Sequence, residues 1–380
     1  MTTHLAAVSL AKGEPFELQT RRTPKPGPGE LLLEVKSVAL NPADGLMRDQ
    51  GLFIPTYPAV LGFDVSGLVL EAGDDVPVSE GPGPFFQAGI TRVAAYAASV
   101  WKACDPDYGV FQERCLVPWQ HAVPLPDTGI SWNQAATLSV AVQVPLSAWD
   151  VMGIPQMGEA DTSGGAQEDT GTNQKREAVL VWGASSSVGT MGVQTARLLR
   201  EDPESSFAAV YATAGAANQE YVDCLGADRV FDHKEPRVVD AIVSAAREDG
   251  LVIRHCFLAT GQLGMCQAVL RAFLGNDDQG GEEKQKAKAK IASAPVIPPD
   301  AEEVDGVEIN FVMPSTDEGE RLAQFGYWMG SWLRENLARE TIRPSPEPRV
   351  VGRGLGAVNA GLDVLLRGVS CTKLVVEVAE

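Results

Sequence analysis

The residues best suited to chemistry lie in one run, Val179-Leu-Val-Trp-Gly-Ala-Ser-Ser-Ser-Val-Gly-Thr-Met-Gly192. A short apolar strand feeds a turn of small residues that opens a helix. Such a turn exposes backbone N–H groups at the positive end of the helix dipole, where a pyrophosphate can approach without Cβ atoms in the way. The glycine pattern is incomplete. Where G-x-G-x-x-G would fall, the residues are Ala184, Ser186 and Gly189. A plain strand-to-helix turn is the bland alternative, and the strand–helix units that follow favour a dinucleotide.

The end of the next strand decides which dinucleotide. An acid there would hold the ribose hydroxyls of NAD. The chain instead reads Val210-Tyr-Ala-Thr-Ala-Gly-Ala-Ala-Asn218, with no acid and no immediate Arg or Lys. A 2′-phosphate is thereby permitted, with contacts expected from backbone, Thr213, Asn218 and His233.

The elements that position these residues change rhythm near residue 178. Before it, apolar runs at 31–40, 65–72, 92–100, 110–117 and 121–125, separated by Gly and Pro, predict a small antiparallel barrel. After it, strands at 178–182, 207–213, 229–231, 251–258, 290–294 and 307–312 alternate with helices at 190–200, 218–225, 236–247 and 262–274. That alternation predicts a parallel sheet with right-handed crossovers. A long helix over 317–339 carries Leu322, Phe325, Trp328, Met329, Trp332, Leu333 and Leu337 on one face, to be read as core or as an acyl-binding wall. A last helix near 356–366 and a strand at 373–378 close the chain. The polar stretch 156–177 reads as a mobile loop and 275–290 as a solvated segment.

Length and composition bound the function. The 380 residues fit two to three domains. A net charge of −19 argues against nucleic acid or an anionic membrane as partner. The six cysteines form no C-x-x-C pair, which favours reduced thiols and a cytoplasmic setting. No basic-then-apolar leader and no uninterrupted apolar span of membrane length is apparent.

Ordered landmarks along the chain carry a resemblance: Leu40-Asn-Pro-Ala-Asp44, Tyr57-Pro-Ala-Val-Leu-Gly-Phe-Asp-Val-Ser-Gly67, Gly109-Val-Phe-Gln-Glu113, Ala135-Ala-Thr-Leu138, the 183–189 turn, Leu225-Gly-Ala-Asp228 and Lys373-Leu-Val-Val376. The chain resembles the zinc-free quinone-reductase and enoyl-reductase branch of the medium-chain dehydrogenase/reductase superfamily, closest to fungal trans-acting enoyl reductases of polyketide synthases. The resemblance implies an α/β protein: a GroES-like barrel over residues 1–136, completed by 340–380, and a Rossmann doubly wound sheet over 137–339. It implies NADP(H), held by Ser185, Ser186, Ser187, Val188 and Gly189 at the pyrophosphate, by Thr213, Gly215, Ala216, Ala217, Asn218 and His233 around the adenosine phosphate, and by Ala259 and Thr260. Ala43, Asp44, Gly45 and Leu46 would approach the nicotinamide. Leu138, Ser139, Val140, Ala141, Val142, Gln143 and Val144 would face the substrate.

Zinc-dependent members of the superfamily take a His ligand from a G-H-E segment. Here it reads Gly62-Phe63-Asp64, and Phe cannot ligate a metal. Without a Lewis acid, reduction of an activated C=C is the favoured reaction, with Asn41 the side chain expected to orient substrate or cofactor. Tyr57, Tyr96 and Tyr108 are proton donors or packing residues. Fungal relatives often read N-P-x-D-x-K, whereas this chain has Leu46 in place of the Lys. Three readings follow: an NADPH-dependent reductase of an enoyl thioester or enone, free or carrier-bound; a quinone or alkenal reductase; and a catalytically weak cofactor-binding partner of a synthase. A monomer or homodimer is expected.

Overall fold

The protein is described from a computed structural model, which covers residues 2–79, 81, 83–126, 129–157, 176–275 and 288–379. The chain divides into two compact units, one of Met1–Gln143 with Pro314–Glu380 and one of Val144–Met313.

The first unit is built on strands β1 (Thr3–Ser9), β2 (Glu17–Arg22), β3 (Glu30–Ala39), β4 (Ala59–Val60), β5 (Asp64–Ala72), β6 (Arg92–Tyr96), β7 (Arg114–Pro118) and β8 (Ala122–Pro124). Helix α1 (Pro42–Gln50) follows β3, and helices α2 (Trp132–Ala135) and α3 (Ser139–Met152) follow β8. One sheet runs β2-β1-β4. The larger sheet is mostly antiparallel, and β3 lies inside it, flanked by β5 and β7. Most of β3 is buried, which its run Leu31-Leu-Leu-Glu-Val requires. Strands β1, β2 and β4 were not expected. β2 is exposed almost throughout and has no apolar alternation to betray it. The expected strands 92–100 and 110–117 are shorter than anticipated. The chain leaves the sheet after Tyr96 for a 3₁₀ turn, Ser99–Lys102, and regains it only at Arg114.

The second unit holds strands β9 (Glu177–Trp182), β10 (Phe207–Thr213), β11 (Arg229–Phe231), β12 (Val252–Leu258), β13 (Ala289–Ser293) and β14 (Val307–Phe311), all parallel, in the order β11-β10-β9-β12-β13-β14. Its helices are α4 (Ser187–Glu201), α5 (Gln219–Asp223), α6 (Val238–Glu248) and α7 (Leu263–Arg271). Strand order reverses between β9 and β12, and the crevice at the carboxyl ends of such strands is where open parallel sheets bind ligands. A core of Leu180, Tyr211, Ile242, Cys256, Leu270 and Ile291 fixes the helices α6 and α7 to one face of the sheet. On the other, Gly192 of α4 lies so close to Phe257 that a Cβ would sit 2.8 Å from the ring.

The chain then returns to the first unit. Helix α8 (Glu318–Phe325) continues as a π-helix, Gly326–Leu333, and ends as α9 (Arg334–Ala338). Strand β15 (Pro348–Arg353), helix α10 (Ala357–Leu366) and strand β16 (Lys373–Glu377) follow, and β16 inserts between β15 and β3. The expected division at 137 and 339 differs from the observed one in two places. Ser139 and Val140 are hydrogen-bonded to Asp64 of β5, which ties the start of α3 to the barrel. Residues 314–339 pack against Trp119–His121 and β8, also in the barrel.

The stretch 132–152 has the length and mean hydropathy of a membrane-crossing helix, but 78% of its apolar window is buried inside the protein. Of the expected loops, residues 158–175 and 276–287 lie outside the described residues, while Glu177 and Lys290 stand in strands β9 and β13.

Candidate functional site

Polar residues converge at one buried point of the barrel unit. Asp64, at the start of β5, is wholly buried. Its Oδ1 accepts from Ser139 Oγ (2.6 Å) and from the Val140 backbone N–H (2.7 Å). Its Oδ2 accepts from Asn41 Nδ2 (3.0 Å) and pairs with Lys373 Nζ (2.9 Å). The same ammonium donates to Asn41 Oδ1 at 2.6 Å. A carboxylate out of water needs this many partners, because burying an uncompensated charge costs several kcal/mol. Both ends of the Asn41 amide are therefore occupied. The side chain expected to orient substrate or cofactor is thus engaged with Lys373 and Asp64 in this structure.

Asp44 belongs to the same cluster. Its Oδ2 accepts from the Asn41 N–H (2.7 Å), which caps the first turn of α1, while its buried Oδ1 has no partner among the described residues. Burial pushes its pKa up to about 7, partly offset by that backbone N–H and by Lys373. Gly45 faces α10, where a Cβ would lie 2.9 Å from Leu366. Of the four residues expected near the nicotinamide, only Ala43 and Leu46 keep a partly exposed side chain. Among the expected substrate residues, Leu138, Ser139, Ala141 and Val142 are wholly buried, and Val140 and Val144 are partly exposed. Gln143 is buried with its amide Nε2 unpartnered.

The second unit gathers the expected nucleotide residues at the carboxyl ends of its strands. Gly183 leaves β9 with φ +78°, and a Cβ there would stand 2.5 Å from the Thr260 carbonyl. Its N–H donates to Thr213 Oγ1 (2.9 Å). Thr213 is buried, and its hydroxyl braces the turn. Ser186 caps α4, its Oγ accepting from the Gly189 N–H at 3.1 Å. A Cβ on Gly189 would meet the Gly183 carbonyl at 2.3 Å, so the one glycine kept from the pattern is the one that lets helix and strand touch. The Ser187 hydroxyl is buried at the helix N-terminus without a partner among the described residues. An orphaned hydroxyl there, beside first-turn N–H groups that no helix can satisfy internally, fits a phosphate.

At the tip of β10, Gly215 lies beside both His233 and Lys234, a Cβ there standing 3.6 Å from the imidazole and 4.0 Å from the ammonium. Lys234 is exposed and supplies the cation that the residues after β10 lack. Sequence reasoning stopped at His233 and missed it, although the two are adjacent. The acid absent from the end of β10 is also partly replaced, because Asp232 accepts from the Ala216 and Lys234 backbone N–H groups. Among the described residues, no group of three or more His, Cys, Asp or Glu could hold a metal ion.

A GroES-like barrel and a parallel nucleotide-binding sheet of this order define an oxidoreductase of the alcohol dehydrogenase type. Residues 27–127 match the family model of the alcohol dehydrogenase GroES-like domain. An alcohol dehydrogenase superfamily protein from Novosphingobium aromaticivorans shares the fold, with a TM-score of 0.71 at 20% identity, over 99% of this chain and 100% of that one. Trans-enoyl reductase tndF of Aspergillus flavipes is 39% identical over 376 residues, 98% of each chain. Trans-enoyl reductase tazE of Aspergillus terreus is 39% identical over 83% of this chain and 93% of its own. The chain belongs to the trans-enoyl reductase family of the medium-chain dehydrogenase/reductase superfamily.

Three outcomes test this geometry. Lys373→Met strands Asp64 and should cost about 3–5 kcal/mol of stability, whereas Lys373→Met with Asp64→Leu should cost clearly less. Urea denaturation of the single and double variants measures both, and a double variant as unstable as the sum of the singles would refute the pairing. Asp44 gives a pH signature. The folded chain holds its proton up to about pH 7, whereas an unfolded chain releases it near 3.8. Its contribution thus favours folding below about pH 4 and is lost as the pH rises to about 7. Asp44→Asn should flatten that part of the stability profile, and urea midpoints taken across the window should show it; an unchanged slope counts against a buried proton. Gly189→Val should abolish dinucleotide binding in a fluorescence titration, since its side chain overlaps the Gly183 carbonyl.

Proposed function

We propose that the protein is an NADPH-dependent reductase of the activated C=C bond of an enoyl thioester, acting without zinc on a substrate presented by a polyketide synthase. The observation that carries the cofactor reading is Lys234 beside Gly215 at the end of β10, with His233 next to it. The two relatives named above are called trans-enoyl reductases, which supports the reaction and the carrier-bound substrate. Six free cysteines support a reducing, cytoplasmic setting.

When bound, NADPH supplies a hydride to the β-carbon of the enoyl group. Negative charge then develops on the thioester oxygen, and a proton must reach the α-carbon. The chain's task is to stabilise that charge without a metal. Gln143 is the candidate donor, because its buried amide N–H has no partner among the described residues. Tyr96 pairs with Asp64 across β5 and β6, and burial together with the nearby Asp64 and Asp44 carboxyls raises its pKa well above the ordinary phenol value. It therefore stays a neutral phenol able to donate. Phe63 occupies the place where zinc-dependent relatives carry a ligating His, and the cation of this neighbourhood is Lys373.

Enoyl thioesters should oxidise NADPH, read as loss of its absorbance, with quinones slower. Lys234→Ala should raise KM for NADPH roughly tenfold and leave NADH nearly unchanged, the loss of one charge-assisted hydrogen bond. Bound NADPH with no turnover of any enoyl thioester or enone would defeat the reaction. Equal effects of Lys234→Ala on both cofactors would defeat the assigned phosphate contact.

A further inference from the structure

A second set of buried polar atoms in the barrel unit has no partners among the described residues. It lies where three helical segments meet: Ser99–Lys102, Trp119–His121 and α8 with its π-helical continuation. Ser99 Oγ, Trp101 Nε1, His121 Nε2, Arg321 Nε and Trp332 Nε1 are all buried without a hydrogen bond among the described residues. His121, Arg321 and Trp332 are 1%, 5% and 5% exposed. Native interiors pair more than about nine in ten such groups, so five in one neighbourhood signal a missing partner.

The tautomer of His121 follows from its surroundings. Its Nδ1 lies 3.2 Å from the Tyr96 carbonyl, which can only accept, so the proton sits on Nδ1 and Nε2 presents a bare lone pair. Burial drives its pKa down to about 3, with Arg321 and Lys102 adding repulsion, so the ring stays neutral. The ring stacks on Phe325 at 3.8 Å. The neighbouring groups are donors: the Arg321 guanidinium lies 4.8 Å over the Trp101 ring. The segments that meet here thus offer one acceptor, His121 Nε2, and N–H donors on Trp101, Arg321 and Trp332, the complement of a ligand that carries both a hydroxyl hydrogen and an oxygen lone pair.

The cluster is continuous with the Asp64 centre. Phe63 precedes Asp64, and its ring is 5.8 Å from that of Tyr96; Tyr96 is 5.0 Å from Phe325, and Phe325 is 5.2 Å from Trp328. An aromatic row thus runs from the Asp64 centre to His121. The π-helix begins one residue after Phe325, and π-helical turns recur at functional sites.

We propose that His121 Nε2 accepts a hydrogen bond from a hydroxyl on the acyl chain of the substrate, making it a specificity residue for oxygenated over plain chains. The inference rests on the enoyl-reductase reading. The test pairs two enoyl thioesters of equal length, one with a hydroxyl further along the chain, assayed by NADPH oxidation with the full chain. The wild type should favour the hydroxylated substrate about tenfold in kcat/KM, as expected for a group left unpaired in its absence. His121→Phe should bring the ratio close to one, and His121→Gln, which retains an acceptor, should recover part of it. No preference in the wild type, or an undiminished ratio in His121→Phe, would show a core histidine that holds only a buried water and would overturn the proposal. If neither thioester is turned over, the reductase reading fails separately. Calorimetry with the saturated hydroxyacyl thioester then decides for His121: tighter binding to wild type than to His121→Phe sustains the site, and equal or absent binding overturns it.

Discussion

The barrel unit is organised around one buried ion pair, Lys373 with Asp64. Five segments meet there: the end of β3 at Asn41, the first turn of α1 at Asp44, the start of β5, the start of α3 at Ser139 and Val140, and the last strand, β16. Each supplies a group that the others need. Asp64 cannot remain buried without the ammonium, and the ammonium cannot arrive unless β16 pairs with β3 in register, as Val375 opposite Ala39 shows. The backbone bond from Leu40 N–H to the Leu374 carbonyl fixes the same register one step further. The C-terminal segment thus does more than complete a sheet, because it carries the positive charge that keeps the carboxylate inside.

The nucleotide end of the second unit meets the opposite problem, a polyanionic ligand on a chain of net charge −19. Backbone groups carry much of the answer. The α4 N-terminus offers N–H groups and the unpartnered Ser187 hydroxyl, and close contact at Gly183 and Gly189 holds the turn tight enough to present them. Ala184 and Ser186 in the lost glycine positions do not disturb this: Ala184 is wholly buried and Ser186 turns its hydroxyl to cap the helix. Lys234 places one mobile cation at the rim, and long-range repulsion from the acidic surface is screened beyond about 8–10 Å at physiological salt.

Much of this was legible in the sequence where a pattern is local. The strands Phe207–Thr213 and Arg229–Phe231 follow directly from short apolar runs closed by small or acidic residues. The turn Ser185–Gly189 is read from residue size alone. What stayed hidden depends on contacts between distant residues. Asn41 looks like a free functional amide until Lys373 and Asp64 claim both its ends. Lys234 looks like an ordinary surface lysine until β11 pairs with β10 and brings it to Gly215. Helix α3 was masked by Pro145 in its interior, and the π-helix inside 317–339 keeps the apolar spacing of an α-helix while changing its hydrogen bonding.

The two polar clusters of the barrel unit differ in satisfaction, and that difference separates scaffold from recognition. Every oxygen lone-pair direction of Asp64 that the fold can fill is filled, so the pair rigidifies its five segments and leaves nothing for a ligand. His121 Nε2, Arg321 Nε and the indole N–H groups of Trp101 and Trp332 are as deeply buried but have no partner among the described residues, although His121 Nδ1 and Arg321 Nη1 are hydrogen-bonded. Replacing such groups by apolar ones of similar shape costs little or even stabilises, so packing alone gives no reason to keep them. Under the proposal above they await a partner from outside the chain, and a bare imidazole nitrogen among elements that otherwise offer N–H donors calls for a group able both to give and to accept a hydrogen bond.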